Sequence, residues 1–112
     1  MGDNARALQN AIRAYLTLKG FFCWKGGTGG IRKGQHFWKF GEVGAPDLFA
    51  LRVRTIDTER GNFQEAQIIG IEVKYGKDVV SDEQKAFHVA LEKHGGKIII
   101  ARSLADVMEA IP

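Results

Sequence analysis

The residues best suited to chemistry lie in an otherwise apolar segment, Ile68–Lys74. Side chains alternate along a strand, so Gly70, Glu72 and Lys74 share one face and the Ile and Val residues between them share the other. A carboxylate and an ammonium two residues apart on an apolar strand are costly unless they have partners. Either the two groups form an ion pair on the strand surface, or they line a functional site.

A third charged residue, Asp47, favours a site over a surface ion pair. It follows Pro46, which fixes the turn, and stands at the entry to the preceding strand. If the two strands pair as a hairpin, Asp47 and Glu72 converge, with Lys74 beside them. Two carboxylates offer the oxygen ligands that Mg²⁺ or Mn²⁺ prefers, and such a cation polarises a phosphoryl oxygen and lowers the pKa of bound water. Lys74 would then orient the attacking water or neutralise charge on the phosphate.

Periodicity and turn residues predict the elements that position these side chains. In chain order they are a helix over 4–19 capped by Asp3 or Asn4, a strand over 21–24, a basic glycine-rich loop over 26–34, a short strand over 37–40, an antiparallel hairpin of strands 48–54 and 66–75, a helix over 81–94, a strand over 97–101 and a helix over 104–111. Ser81 and Gln84 form a capping box for the second helix. Its predicted buried face is Phe87, Ala90, Leu91 and His94, with His88 in a core or surface role.

The order strand 66–75, helix 81–94, strand 97–101 is a βαβ unit, so these two strands should be parallel. The hairpin adds antiparallel strands to the same sheet. The expected architecture is therefore α/β, with a mixed sheet flanked by helices.

Composition and charge narrow the class of protein. The chain has 112 residues, 45% of them apolar and 26% charged, as in a single folded domain. Residues 1–40 hold seven Lys/Arg against one acid, while residues 41–112 carry a net charge of −3. This asymmetry favours a polyanionic partner. A lone cysteine, Cys23, excludes an internal disulfide and disfavours zinc, and we expect a cytoplasmic protein without membrane spans or a signal peptide.

Four motifs resemble the VRR-NUC branch of the PD-(D/E)XK nucleases. They occur in family order, with family-like spacing, over almost the whole chain: Gly44-Ala45-Pro46-Asp47-Leu48, Ile71-Glu72-Val73-Lys74, Ser81-Asp82-Glu83-Gln84 and Gly95-Gly96. The resemblance implies a restriction-endonuclease-like core of αβββαβ order, in one domain over residues 1–112.

The same resemblance implies roles for individual residues. Asp47 and Glu72 would bind Mg²⁺ or Mn²⁺ together with the backbone carbonyl of Val73. Lys74 would be the catalytic lysine, and Gln84 would complete the site from the following helix. Because the capping box alone also explains Gln84, the two roles can coexist.

Two departures from the family pattern lie near the N-terminus. Family members often carry a glutamate in the first helix, and that position falls near Ala5, so the fourth acidic contact is missing or comes from elsewhere. Lys25-Gly26-Gly27-Thr28-Gly29 stands where the family often has an R-x-N-T-G stretch, and Lys25 and Thr28 partly substitute for it.

Candidate DNA contacts are basic or polar residues in and after this stretch: Lys25, Thr28, Arg32, Lys33 and His36. The alternative for the last three is a solvated loop tip without a partner.

Compact members of the family resemble Holliday-junction resolvases of bacteria and phages. We therefore expect a metal-dependent endodeoxyribonuclease that resolves four-way DNA junctions as a homodimer, in the cytoplasm of a bacterium or a phage-infected cell. The alternatives are a less selective nickase or flap nuclease, and a non-catalytic DNA-binding module in which Glu72 and Lys74 are structural.

Overall fold

The computed structural model describes residues 2–112, apart from the side chains of residue 31 and residues 38–40. Its elements follow in chain order: α1 (Asp3–Leu18), β1 (Phe22–Lys25), β2 (Gly29–Lys33), β3 (His36–Phe40), β4 (Leu48–Thr58), β5 (Gly61–Val73), α2 (Asp82–Lys93), β6 (Lys97–Ala101) and α3 (Leu104–Ala110). No helix in this part of the chain is long and apolar enough to cross a membrane.

The main sheet has the strand order β1-β4-β5-β6. β1 pairs with β4, and β4 with β5, in antiparallel ladders, whereas β5 and β6 are parallel and joined through α2. The parallel βαβ unit and the mixed sheet predicted from the sequence are therefore confirmed. With β2 and β3 set aside as an insertion, the order α1-β1-β4-β5-α2-β6 is that of a restriction-endonuclease-like core.

One face of the sheet carries the hydrophobic core. Ile69, Ile71 and Val73 point to this face, as alternation predicts, and pack with buried residues of α1 and α3 such as Ile12 and Val107. Cys23 lies in the same cluster, and burial raises the pKa of its thiol. Since burial of apolar area is the main stabilising contribution to folding, this face fixes where β5 sits.

The opposite face meets α2 and the turn before β4. Gly70 is close-packed there, because a Cβ atom would lie 2.7 Å from Pro46 Cγ and 3.2 Å from Leu91 Cδ2. The face that holds Gly70 thus lies under both the Pro46 turn and α2. Glu72 shares this face and is enclosed by the same elements.

The β4–β5 hairpin is longer than predicted. Its ladder continues to the Thr58–Gly61 pair, so Glu59 and Arg60 alone form the turn, and β5 ends at Val73 instead of residue 75. The outer half is mostly polar and largely exposed, with apolar residues such as Val53 and Phe63 in solvent, so it lacks the regular alternation by which a half-buried strand is predicted.

The prediction of a loop over 26–34 is wrong in its second half. Residues Gly29–Lys33 form β2, which pairs with β3 as a separate two-stranded antiparallel sheet. The turn is made at Gly34, where φ is +63°, a conformation that suits glycine. Pairing between backbone groups does not require side chains, so the glycines in β2 are compatible with this ladder.

Two helix details also differ from prediction. Gly2 is the N-cap of α1 and no side chain caps that helix, so neither Asp3 nor Asn4 has the predicted role. In α2, Ala90 and His94 are exposed, and the residue that is buried is His88. The helix is rotated so that Gln84, His88 and Leu91 face the polar side of the sheet, because Glu72 offers His88 a partner there.

Candidate active site

The register of the hairpin places Asp47 next to Glu72. Leu48 pairs with Ile71, so the residue before Leu48 lies opposite the residue after Ile71. Asp47 Oδ2 accepts a hydrogen bond of 2.8 Å from the backbone N–H of Val73. The convergence predicted from the Pro-Asp and Glu-x-Lys motifs is therefore present, and the Asp47 carboxylate is anchored at the end of β5.

A glycine allows the turn before Asp47 to pack against α2. Gly44 has φ of +83°, and a Cβ atom there would lie 2.3 Å from the backbone oxygen of Glu83. Only glycine combines this backbone conformation with so close an approach. The first turn of α2, which carries Gln84, is thereby held against the segment that carries Asp47.

Glu72 is completely buried, with 0% of its surface exposed. One carboxyl oxygen, Oε1, lies 3.0 Å from Nε2 of His88, itself buried in α2. The other oxygen, Oε2, has no hydrogen-bond partner in the described part of the chain. The contact between the Glu72 and Asp47 carboxyl groups brings acceptors together, and it becomes a hydrogen bond only if one group holds a proton. Glu72 thus presents a buried oxygen that requires a proton or a cation.

The electrostatics of the pair follow from this burial. Desolvation first, and the Asp47 carboxylate second, raise the pKa of Glu72 to about 8, although the nearby Lys74 ammonium acts in the opposite direction. Burial lowers the pKa of His88, so its imidazole is neutral at pH 7, and the tautomer of this imidazole sets the direction of its hydrogen bond to Glu72. A bound cation would favour the ionised carboxylate over the protonated one.

Lys74 lies directly beyond β5, on the same face as Glu72. Its backbone N–H donates to the carbonyl of Ala101 at 2.9 Å, which extends the ladder to β6 by one residue. Its side chain is half-buried, and its charge affects the pKa of both Glu72 and His88. The structure therefore brings Asp47, Glu72 and Lys74 together, while their roles in catalysis stay predictions.

A cavity of about 540 Å³ opens in front of Asp47. It lies between α1, the segment after β1, the turn before β4 and the first turn of α2. Its polar lining includes Arg6, Gln9, Lys25, Thr28, Asp47, Ser81, Glu83 and Gln84. The cavity gives ligands access to Asp47, with Glu72 buried behind it.

Gln84 both caps α2 and lies at the candidate site, the two roles that the sequence allowed. Its Oε1 accepts from the backbone N–H of Ser81 at 2.9 Å, and the Ser81 hydroxyl accepts from the Gln84 N–H at 3.1 Å, so the predicted capping box is confirmed. Because the amide oxygen is used by the cap, the amide NH₂ group is left as a donor at the cavity wall.

The predicted DNA contacts fall into two groups. Lys25 and Thr28 line the cavity. Arg32, Lys33 and His36 are exposed on the β2–β3 hairpin and are not part of the cavity wall. The guanidinium of Arg32 lies over the ring of Phe37 at 5.9 Å, within reach of a cation–π interaction.

Three residues of the site were missed from the sequence: Arg6, Gln9 and His88. Gln9 lies on the helical stripe of Ile12 and Leu16 and is buried with them, so a polar residue on an apolar stripe was the available signal. The position of the family's first-helix glutamate falls near Ala5, and the residues that α1 places at the cavity are Arg6 and Gln9, neither of them acidic.

The oxygen atoms at this site can be compared with the ligands that a divalent cation requires. Within residues 2–112 no three His, Cys, Asp or Glu are grouped as metal ligands. Mg²⁺, however, is commonly bound by one or two carboxylates, with water and substrate phosphate completing its coordination. Asp47 and the unpartnered Oε2 of Glu72 fit that pattern, and the carbonyl of Val73 stays a predicted ligand.

This fold and this group of side chains define a restriction-endonuclease-like protein of the PD-(D/E)XK class. The family model of the VRR-NUC domain matches residues 35–105, and the chain belongs to the VRR-NUC family of nucleases. The matched part contains Asp47, Glu72, Lys74 and Gln84, whereas α1 and β1 precede it. Searches of curated proteins and of solved structures gave no match.

Proposed function

We propose that this protein is a metal-dependent endodeoxyribonuclease that hydrolyses phosphodiester bonds in branched DNA. The observation that carries the proposal is the buried Glu72 carboxyl group. Its Oε2 has no donor among the described residues, and it lies in contact with Asp47 behind an open cavity. A buried carboxylate pair is destabilising in a protein without a ligand, and it becomes favourable when a cation binds between the two groups.

Asp47 and Glu72 would hold Mg²⁺ or Mn²⁺, with the Val73 carbonyl as a further ligand. When bound, the cation polarises the phosphoryl oxygen and lowers the pKa of a coordinated water. Asp47 is oriented for this role by the Val73 N–H, and Glu72 by His88. Neither carboxylate therefore has to reorganise when substrate arrives.

Lys74 and Gln84 would act on the substrate itself. Water attacks phosphorus in line with the leaving oxygen, the P–O bond to that oxygen breaks, and the oxygen takes up a proton. The Lys74 ammonium neutralises negative charge that builds up on the phosphate in the transition state. The NH₂ group of Gln84, fixed by the capping box, donates to a phosphate oxygen.

Basic residues outside the carboxylate pair would bind the DNA backbone. Lys25 and Thr28 do so at the cavity, and Arg32, Lys33 and His36 do so along the β2–β3 hairpin. Contacts to phosphate fix the position of DNA without reading its sequence. We therefore expect recognition of DNA shape rather than of base sequence.

Resolution of a four-way junction requires two symmetric cuts. One chain carries one Asp47–Glu72 pair, so a twofold homodimer is the simplest enzyme that makes both cuts. Its setting in a bacterial or phage-infected cytoplasm stays a prediction from the sequence. One alternative is a nickase or flap nuclease, which would hydrolyse phosphodiester bonds by the same chemistry. The other is a DNA-binding module that has no catalytic activity.

The test is cleavage of labelled four-way junction, flap and linear duplex DNA with Mg²⁺, Mn²⁺ or EDTA. Lys74→Ala is the variant, and Lys93→Ala, at an exposed site at the end of α2, is its control. Paired symmetric cuts in the junction alone, lost with EDTA and with Lys74→Ala only, are expected. Cutting of all three DNAs would favour the nickase, and DNA binding without metal-dependent cutting would favour the binding module.

A further inference from the structure

Gln9 is a buried polar side chain whose amide group stands unpaired. It is 6% exposed, it lines the cavity, and its amide makes no hydrogen bond within residues 2–112. The described part of the chain has one buried side-chain polar atom without a partner, Glu72 Oε2, so the Gln9 amide itself is reached by solvent from the cavity. Ile12 and Leu16 fix this face of α1 in the core, so the Gln9 amide stays at the cavity wall. It is therefore a free donor and acceptor for a ligand that enters the cavity.

Two cationic side chains line the cavity beside Gln9. Arg6 precedes it by one helical turn, and Lys25 ends β1; both are exposed. Neither forms an ion pair in the part of the chain that the structure describes. The acids of the cavity wall are Asp47, which is held by Val73, and Glu83, in the first turn of α2. One side of the cavity therefore attracts an anion, and the other attracts a cation.

We infer that Arg6, Gln9 and Lys25 form a subsite for a second DNA phosphate, adjacent along the strand to the phosphate that is cut. The inference rests on the proposed nuclease function and names the part of the substrate that α1 recognises. The Gln9 NH₂ group donates to a phosphate oxygen, and the Arg6 guanidinium can bind two oxygens at once. Lys25 adds charge, and Thr28 a hydroxyl, at the same wall. The cavity of about 540 Å³ is within the size range of pockets that hold small ligands.

The role of α1 follows from this subsite. The cavity-facing residues of α1 are neutral or basic. The helix therefore positions the DNA strand and does not supply an acidic metal ligand. Variants of Arg6 and Gln9 should consequently change DNA affinity while the affinity for Mg²⁺ or Mn²⁺ stays that of the wild type.

The experiment uses the full chain and a fluorescent four-way junction, with binding measured by anisotropy in EDTA, where no cleavage occurs. The variants are Arg6→Gln and Gln9→Leu, and the controls are Arg60→Gln and Asn10→Ala, both at exposed sites. We expect each variant to bind about tenfold more weakly, as for loss of a hydrogen bond to a charged group. For Arg6→Gln, the slope of the logarithm of the binding constant against the logarithm of salt concentration should be smaller by about one, which corresponds to the loss of one phosphate contact.

Stability separates this role from a structural one. Gln9→Leu removes an amide that makes no hydrogen bond within residues 2–112, so its thermal midpoint should stay close to that of the wild type. A fall in midpoint parallel to the fall in DNA affinity would show that Gln9 serves the fold, and would overturn the inference.

The position of the phosphate is tested with modified DNA. A neutral methylphosphonate next to the cut site should abolish the difference between Arg6→Gln and wild type, whereas removal of a 5′-terminal phosphate should leave it unchanged. The reverse result would assign the subsite to a strand end and overturn the inference.

Two further outcomes separate this inference from the proposed function. If wild type cuts DNA and both variants bind junctions like wild type, the subsite alone is refuted. If wild type binds DNA through Arg6 and Gln9 but does not cut it with any metal, the nuclease function alone is refuted.

Discussion

The burial of Glu72 predicts that the isosteric change Glu72→Gln stabilises the metal-free protein, and that it does so only at neutral and alkaline pH. The amide oxygen of the variant would still accept from His88, and its new NH₂ group would donate to the Asp47 carboxylate. The variant therefore keeps the hydrogen bond at Oε1 and replaces a contact between two acceptors with a hydrogen bond. It also removes the group that must lose a proton in a buried site.

The size of the effect follows from the pKa of Glu72, which folding raises from 4.5 to about 8. Between these pH values the folded wild type holds one proton more than the unfolded chain. A raised folded-state pKa gives stability that is fully present below pH 4.5 and is lost as the pH rises through about 8. Each pH unit costs about 1.4 kcal/mol, so the loss reaches about 5 kcal/mol at most.

The assay is urea or thermal unfolding of wild type and Glu72→Gln in EDTA at pH 5, 7 and 9. A domain of this length changes its thermal midpoint by roughly 4 °C per kcal/mol. The gap between the two proteins should be small at pH 5 and should exceed roughly 10 °C at pH 9. Glu109→Gln, at an exposed site on α3, is the control.

A gap that stays constant from pH 5 to pH 9 would refute this reasoning. It would mean that Glu72 titrates near its ordinary pKa in the folded protein, and therefore that it is not desolvated against Asp47. Addition of Mn²⁺ at pH 8 should narrow the gap, because the cation stabilises only the protein that has both carboxylates.

Three other variants test separate parts of the site. Lys74→Met should lower the rate of DNA cleavage by at least about 10²-fold while calorimetry shows wild-type Mn²⁺ affinity; a parallel loss of metal binding would place Lys74 in the metal site instead. His88→Leu should leave Glu72 Oε1 without its donor and cost about 1–3 kcal/mol of unfolding free energy, and an unchanged urea midpoint would show that the hydrogen bond contributes nothing. Gly44→Ala should cost more than about 2 kcal/mol, because strain at positive φ adds to the contact with Glu83. Gly34→Ala has a similar φ in open space and should cost less; equal costs would show that the close approach is unimportant.

The central part of the site could be predicted because it depends on local rules. Alternation along β5 puts Glu72 and Lys74 on one face, and the Pro46 turn puts Asp47 at the start of β4. The register of the hairpin then brings the carboxylates together. The capping box of α2 is likewise a signal within four residues, and both its hydrogen bonds are present.

The rest of the site depends on tertiary contacts that local rules do not contain. The sequence did not assign His88 to the buried face of α2, because Ala90 and His94 also fit a helical stripe. The contact between His88 and the buried Glu72 shows which face of α2 packs on the sheet. Gln9 precedes the part of the chain that matches the family, and the helical stripe does not say which cavity it meets. The glycines of β2 and the largely exposed outer half of the β4–β5 hairpin lack the hydrophobic periodicity by which strands are predicted.

The most direct test of the account is cleavage of a four-way junction by wild type and Glu72→Gln at pH 8 with Mg²⁺. The account predicts that wild type cuts, that EDTA stops it, and that Glu72→Gln does not cut although it is the more stable protein when metal is absent. Equal cleavage by the two proteins would contradict it, because the buried carboxylate would then have no part in the reaction.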